Sequence, residues 1–307
     1  MTVPEFYDSD RVGKQYNPDT AAAIQAGRAL ELLEAGQDDP QIVLLLVDAQ
    51  VDFIHPEGAL AVPGAVDDTR RTIEWIFEHV DRISSVKASL DSHVPLQVFY
   101  PTWWINEVGE HPDPNTPITE DDVEAGRWQP VYEPDWTREY VHRLQEEAKK
   151  DLMIWPYHTM IGTPGHTMMP ALYEAVMYQT AARGSQPTLL QKGTIAKTEY
   201  YSLLEPEVKV PEDPRGRFNQ DFMDDLLEYD LIYIAGQAKS HCVLETITSI
   251  MRRYGEDPEV VAKLRLLEDC TSSVAHPEID FDSMANETYA QFEEHGLQRV
   301  SAADPIG

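Results

Sequence analysis

Apolar and polar positions alternate along this chain in two rhythms. "QIVLLLVDAQ" (41–50) carries an unbroken apolar run that stops at Asp48. It is short and rich in Val and Leu, the pattern of a strand buried on both faces, as in a parallel sheet. "GAVDDTRRTIEWIFEHVDRI" then sets Ile73, Ile76, Phe77 and Val80 on one side of a helix. "SSVKASLDSH" returns to a strand that ends near Asp91. Farther on, the spacing predicts helices over 135–150, 168–183, 219–230, about 241–254 and 281–296. Strands are predicted at "DLMIWP", "PTLLQKG" ending at Lys192, "LIYIAG" and "VAKLRLLEDC", with "LQRVSA" as an edge strand. Strands alternating with helices argue an α/β fold.

Two regions depart from this rhythm. Residues 1–40 are polar, with one helical pattern from Thr20 to Gly36, and read as an N-terminal extension. "GEHPDPNTPITEDDVEAGRWQPVYEP" is rich in Pro, Asp and Glu and reads as a long surface excursion. The organisation expected is therefore an extension over 1–40 and one domain over 41–307, with an insertion at about 103–150. That insertion reads as an interface arm, a lid or plain surface.

Composition narrows the function classes. The 307 residues include 54 acidic and 24 basic side chains, a formal net charge of -30. Such a surface repels nucleic acid and anionic membranes, so neither is an expected partner. Two cysteines, Cys242 and Cys270, make no disulfide framework, which points to a reducing, cytoplasmic setting. No secretory signal or apolar run of membrane-spanning length is seen, and the glycine-rich phosphate loops are absent.

Candidate chemistry gathers at strand ends, where open parallel sheets bind ligands. Asp48, Lys192 and Cys242 stand at such ends or just after them. A thiol beside a carboxylate that takes its proton, with an ammonium to hold the anion, makes a candidate acyl-transfer site. Each residue alone has a plainer reading: Asp48 as a turn cap, Lys192 as a surface lysine, Cys242 as a core thiol. A second group joins Asp91 and His93, which share one side of an extended segment. His158, at the end of "WPYH", supplies a third ligand. Two histidines and one carboxylate with open positions suit Zn, Fe or Mn. Separate surface polar residues are the alternative.

Five ordered segments between about 41 and 275 carry a resemblance. They are "LLLVDAQVDFIHPEGALAVPGA" (Leu44 to Ala65), "ASLDSHVP", "WPYHTMIGTPGH", "QKGT" and "IAGQAKSHCVLETI" (Ile234 to Ile247). The sequence resembles the isochorismatase-like cysteine hydrolases, nicotinamidase-type amidohydrolases in particular. The resemblance implies a three-layer α/β/α, Rossmann-like fold with a mostly parallel sheet. It implies Cys242 as nucleophile, Asp48 as general base, Lys192 as cationic partner and a cis peptide between Gln237 and Ala238. The N–H groups of Ala238 and Cys242 would form an oxyanion hole. Asp91, His93 and His158 would hold a divalent metal, zinc first, with iron or manganese as alternatives. The activity implied is hydrolysis of a small aromatic or heteroaromatic amide to acid and ammonia through a cysteine thioester. The alternatives are an N-carbamoyl or ureido amide hydrolase, a vinyl-ether hydrolase and a non-catalytic small-molecule binder. A homo-oligomer, dimer or tetramer, is implied as well. The sequence departs from the family at Thr159, where a cysteine is frequent, and at "LQVFYPTWW". Phe53, Trp155, Phe99 and Trp103 are the expected substrate-pocket residues.

Overall fold

The structure of the protein, a computed structural model, describes residues 3–307. Its centre is a six-stranded sheet, β1 (Ile42–Val47), β2 (Ser85–Asp91), β3 (Thr188–Lys192), β4 (Leu231–Gly236), β5 (Leu264–Leu267) and β6 (Gln298–Val300). All its pairings are parallel, in the spatial order β6-β5-β4-β1-β2-β3. The chain therefore winds outward from β1 in both directions, and a crevice opens at the carboxyl ends of β1 and β4.

The unbroken apolar run of β1 has a direct cause. Ile42, Leu44 and Leu46 face one layer, while Val43, Leu45 and Val47 face the other, and all six are fully buried. The first layer holds α1 (Thr20–Arg28), α2 (Ala65–Glu78) and α4 (Pro170–Arg183), with Ile73, Ile76, Ala171 and Val176 against the sheet. Between α2 and α4 in sequence lies α3 (Pro134–Arg143), outside both layers. The second layer holds α5 (Gln220–Leu227), α6 (Leu244–Tyr254) and α7 (Phe281–Glu293), with Met223, Ile247, Ile250 and Tyr289 inward. The result is the three-layer α/β/α arrangement with a parallel sheet. Val12 and Ala23 of the N-terminal segment belong to the first layer's core.

Several elements differ from the sequence reading, among them the helix expected from Thr20 to Gly36, which stops at Arg28. Leu152–Met153 of "DLMIWP" pairs antiparallel with Pro117–Ile118, away from the central sheet. Its apolar residues are buried in the core of the insertion, so periodicity alone could not assign its partner. The helix expected over 135–150 stops at Arg143, and a wider turn over Leu144–Ala148 ends at Lys149 with φ 57°. The strand expected from Val261 begins at Leu264, because Pro258–Val261 forms a helical turn capped by the Asp257 carboxylate.

Residues 98–155 build a third core from Phe99, Tyr100, Trp103, Trp104, Tyr140 and Trp155, among others. The insertion is thus a packed layer over the carboxyl ends of the strands, held by its own aromatic residues.

Candidate active site

Strand register sets the floor of the site. Asp91 pairs directly with Lys192 across β2 and β3. Lys192 Nζ lies 2.8 Å from Asp91 Oδ1 and 3.0 Å from Asp48 Oδ2, and donates to the Tyr200 carbonyl at 2.7 Å. Cys242 Sγ is 3.7 Å from the same nitrogen. Asp48 follows β1 with φ 44°, a left-handed conformation that aspartate tolerates better than most residues. Ser89 Oγ donates to its carboxylate at 2.7 Å. Burial raises the Asp48 carboxyl despite Lys192. Burial opposes the Lys192 charge, but Asp48 and Asp91 more than offset this and hold the ammonium well above its usual range.

The second group converges beside the first. One donor atom from each of Asp91, His93 and His158 lies within 4.8 Å of the others. His93 Nε2 stands 2.7 Å from Asp91 Oδ2, and His158 Nε2 stands 3.7 Å from that oxygen. Each histidine directs Nδ1 to a backbone carbonyl, Gly193 at 3.3 Å and Pro156 at 2.7 Å. That arrangement fixes the tautomer and leaves Nε2 as the ligating atom. His93 Nε2 is buried and makes no hydrogen bond although the carboxylate is close. With His158 Nε2, this imidazole nitrogen and carboxylate oxygen make up a nitrogen and oxygen donor set that would hold a divalent cation. Burial pushes the His93 imidazole down, toward the neutral ligating form. Burial works against the Asp91 carboxylate, but His93 and Lys192 overcome it and hold the group well below the usual range. The residues present therefore fit a divalent metal.

Several supporting residues were not singled out in the sequence. Gln50 is fully buried, takes the Asp91 N–H at 2.7 Å and donates to the Asp91 carbonyl at 2.8 Å. Asp52 accepts the Thr159 N–H at 2.7 Å, next to His158, where Thr159 has φ 45°. Ser89, Asp91 and His93 form a period-two polar series in "SLDSH". That series was the available signal for Ser89. Glu199 had none, since it lies in an irregular segment.

A small cavity of about 30 Å³ adjoins these groups, lined by Phe53, Asp91, Trp155, His158, Glu199 and Cys242, among others. Ala238 also lines it, following the cis Gln237–Ala238 peptide. Gly236 is required there, since a side chain at its φ of 120° would strike the Val47 carbonyl. Phe53 and Trp155 are thus on the wall. Phe99 and Trp103 are not: Phe99 packs on the His93 ring at 4.8 Å, and Trp103 Nε1 donates to Thr137 Oγ1 at 3.1 Å within the insertion. Both belong to the aromatic core of the insertion.

The expected cysteine-thioester chemistry is corrected too. The convergent reactive feature is the Asp91–His93–His158 ligand set, which points to metal-dependent catalysis. Burial pushes the Cys242 thiol well above its usual range, although Lys192 lowers it. Lys192, expected to support a thiolate, stands closer to two carboxylates than to the sulfur.

No protein-family model matches the chain. In sequence it is 24% identical to the nicotinamidase of Saccharomyces cerevisiae over 241 residues, 72% of this chain and 93% of that protein. Among solved structures, the yeast nicotinamidase superposes with a TM-score of 0.56 at 18% identity, covering 85% of this chain and 99% of that one. A nicotinamidase/pyrazinamidase of Acinetobacter baumanii gives a TM-score of 0.56 at 18% identity over 88% of this chain and all of that one. The pyrazinamidase of Pyrococcus horikoshii, solved in complex with zinc, gives 0.51 at 18% identity over 85% and 99%. With the parallel sheet and the ligand cluster at its carboxyl end, these likenesses show that the chain has the fold of the solved nicotinamidases and pyrazinamidase.

Proposed function

We propose that this chain is a metal-dependent hydrolase of a C–N bond in a small planar amide or ureido compound. The observation that carries the reading is the buried set of Asp91, His93 and His158, aimed at one point beside a cavity. The likeness to nicotinamidases and to a zinc-bound pyrazinamidase supports amide chemistry and zinc. A divalent cation held by the three ligands supplies Lewis acidity to a carbonyl or ring nitrogen placed against it.

The chain's own residues do the rest. Phe53 and Trp155 offer flat walls to a planar substrate. Asp48, raised by burial and held by Ser89, is placed to take and return a proton, and Lys192 keeps positive charge beside it. The N–H groups of Ala238 and Cys242 are assigned to the developing oxyanion, with the Cys242 side chain as part of the wall. A cytoplasmic setting belongs to the same proposal, on the strength of two free, buried thiols. A homo-oligomer is carried over from the family likeness.

The test measures ammonia release from nicotinamide and N-carbamoyl amino acids, alongside elemental analysis of the same protein. Chelation should abolish turnover, and zinc should restore it. Asp91→Asn should lose the metal and reduce turnover on the order of 100-fold or more. Undiminished turnover in protein shown to be metal-free would overturn the reading.

A further inference from the structure

The reacting cavity has room for an amide head but is too small to enclose a whole amide substrate. Its space of about 30 Å³ holds roughly two or three waters. A second pocket of about 440 Å³ lies against it, within the range of roughly 300–1,000 Å³ that small-molecule sites occupy. Trp155, Tyr201 and His241 line both spaces and so form the partition between them. The His241 ring stands among the aromatic rings of Trp155, Tyr201 and Phe281, with centroids 5.6, 5.4 and 4.8 Å away. Its Nδ1 bonds to Ser240 Oγ, on the neighbouring residue, at 2.8 Å. That bond does not tie the ring to the opposite wall.

The outer pocket is built from the insertion on one side and from α6 and α7 on the other. Met153, Leu244, Ile279, Phe281 and Met284 give it an apolar lining. Lys150 reaches it but is engaged by Glu207 and Glu245, so it offers no free charge. Lys149 and Asp151, both exposed, place opposite charges among its lining residues. A neutral apolar body suits this chemistry, and neither a strong anion nor a strong cation does.

We infer that the substrate is bipartite: an amide head in the inner cavity joined to a neutral aryl or alkyl body that fills the outer pocket once His241 swings aside. This deepens the proposed function and rests on it for the identity of the reacting head. It also accounts for the aromatic insertion, whose residues Met153 and Trp155 supply part of the wall.

The test uses benzamide and 4-phenylbenzamide with the wild type and Met284→Trp. Met284 is 57% exposed on α7, so the larger ring obstructs the outer pocket without entering the core. The wild type should favour 4-phenylbenzamide by roughly tenfold or more in kcat/KM, and Met284→Trp should erase that preference by lowering kcat/KM on 4-phenylbenzamide much more than on benzamide. Equal rates on the two amides in the wild type, or an equal loss on both in the variant, would overturn the inference alone. If neither amide is hydrolysed, the proposed function is what fails. Calorimetric binding then reads the pocket: tighter wild-type binding of 4-phenylbenzamide, lost in Met284→Trp, supports it, and indifferent or absent binding overturns it.

Discussion

The Glu199 carboxyl is 4% exposed beside the inner cavity and accepts the Tyr200 N–H at 2.9 Å. Burial, with the Asp91 charge adding to it, pushes this group up from 4.5 to about 7. The folded chain then keeps a proton that the unfolded chain has already lost. Stability from this site is present below about pH 4.5 and falls as pH rises through about 7. The span corresponds to on the order of 3 kcal/mol. In protein freed of divalent cation, Glu199→Gln should therefore lose less stability than the wild type between pH 5 and pH 8, as read by urea unfolding. Parallel pH profiles for the two would refute this. Cys242 gives a second prediction at this scale. Its thiol is buried and pushed up by that burial, so it should react with iodoacetamide at pH 7 at least about tenfold more slowly in the native than in the unfolded protein. Turnover should outlast the labelling reagent. Fast alkylation that removes turnover at unchanged metal content would return the sulfur to the chemistry.

Elements of the insertion form a wall rather than a loose excursion. Trp104 is fully buried there and donates from Nε1 to the Val98 carbonyl at 2.6 Å. Tyr140, on α3, reaches the Glu199 N–H with its hydroxyl oxygen at 3.2 Å. Tyr100 donates to the His158 carbonyl at 3.0 Å. The aromatic core thus fixes both a carboxyl of the cavity and a ligand of the metal set. Trp104→Ala should cost about 3–5 kcal/mol of stability. It should also weaken metal retention, because the layer that holds Tyr100 and His158 loosens with it. Unchanged metal content in a destabilised Trp104→Ala would separate the insertion from the site.

The whole molecule carries a formal charge of -30, and many of its cations are already paired with carboxylates. The excess acid groups repel one another across the surface. At 0.15 M ionic strength screening acts over about 8 Å, so added salt relieves most of this repulsion. The thermal midpoint should rise as sodium chloride goes from about 0.01 to 0.5 M. A midpoint that falls instead would show that the ion pairs outweigh the net repulsion. Among the described residues no helix is long and apolar enough to cross a membrane.

The alternation of apolar strands and one-sided helices was written in local sequence, because burial on two faces or on one leaves a period that a short window reveals. The positions of Asp48, Asp91 and Lys192 at strand ends were legible for the same reason: Asp48 closes an apolar run, and Asp91 and Lys192 stand at the ends of short segments with strand patterning. Their meaning was not. Whether a lysine serves a thiol or two carboxylates depends on the β2–β3 register and on distances between residues 48, 91, 192 and 242, which no window contains. The same holds for Glu199, whose raised carboxyl arises from packing of a segment without regular structure. Periodicity also could not say that "DLMIWP" pairs within the insertion, since strand partners are chosen by long-range packing. Local pattern determined the elements; tertiary proximity decided their chemistry, because charge, burial and ligation act between residues far apart in the chain.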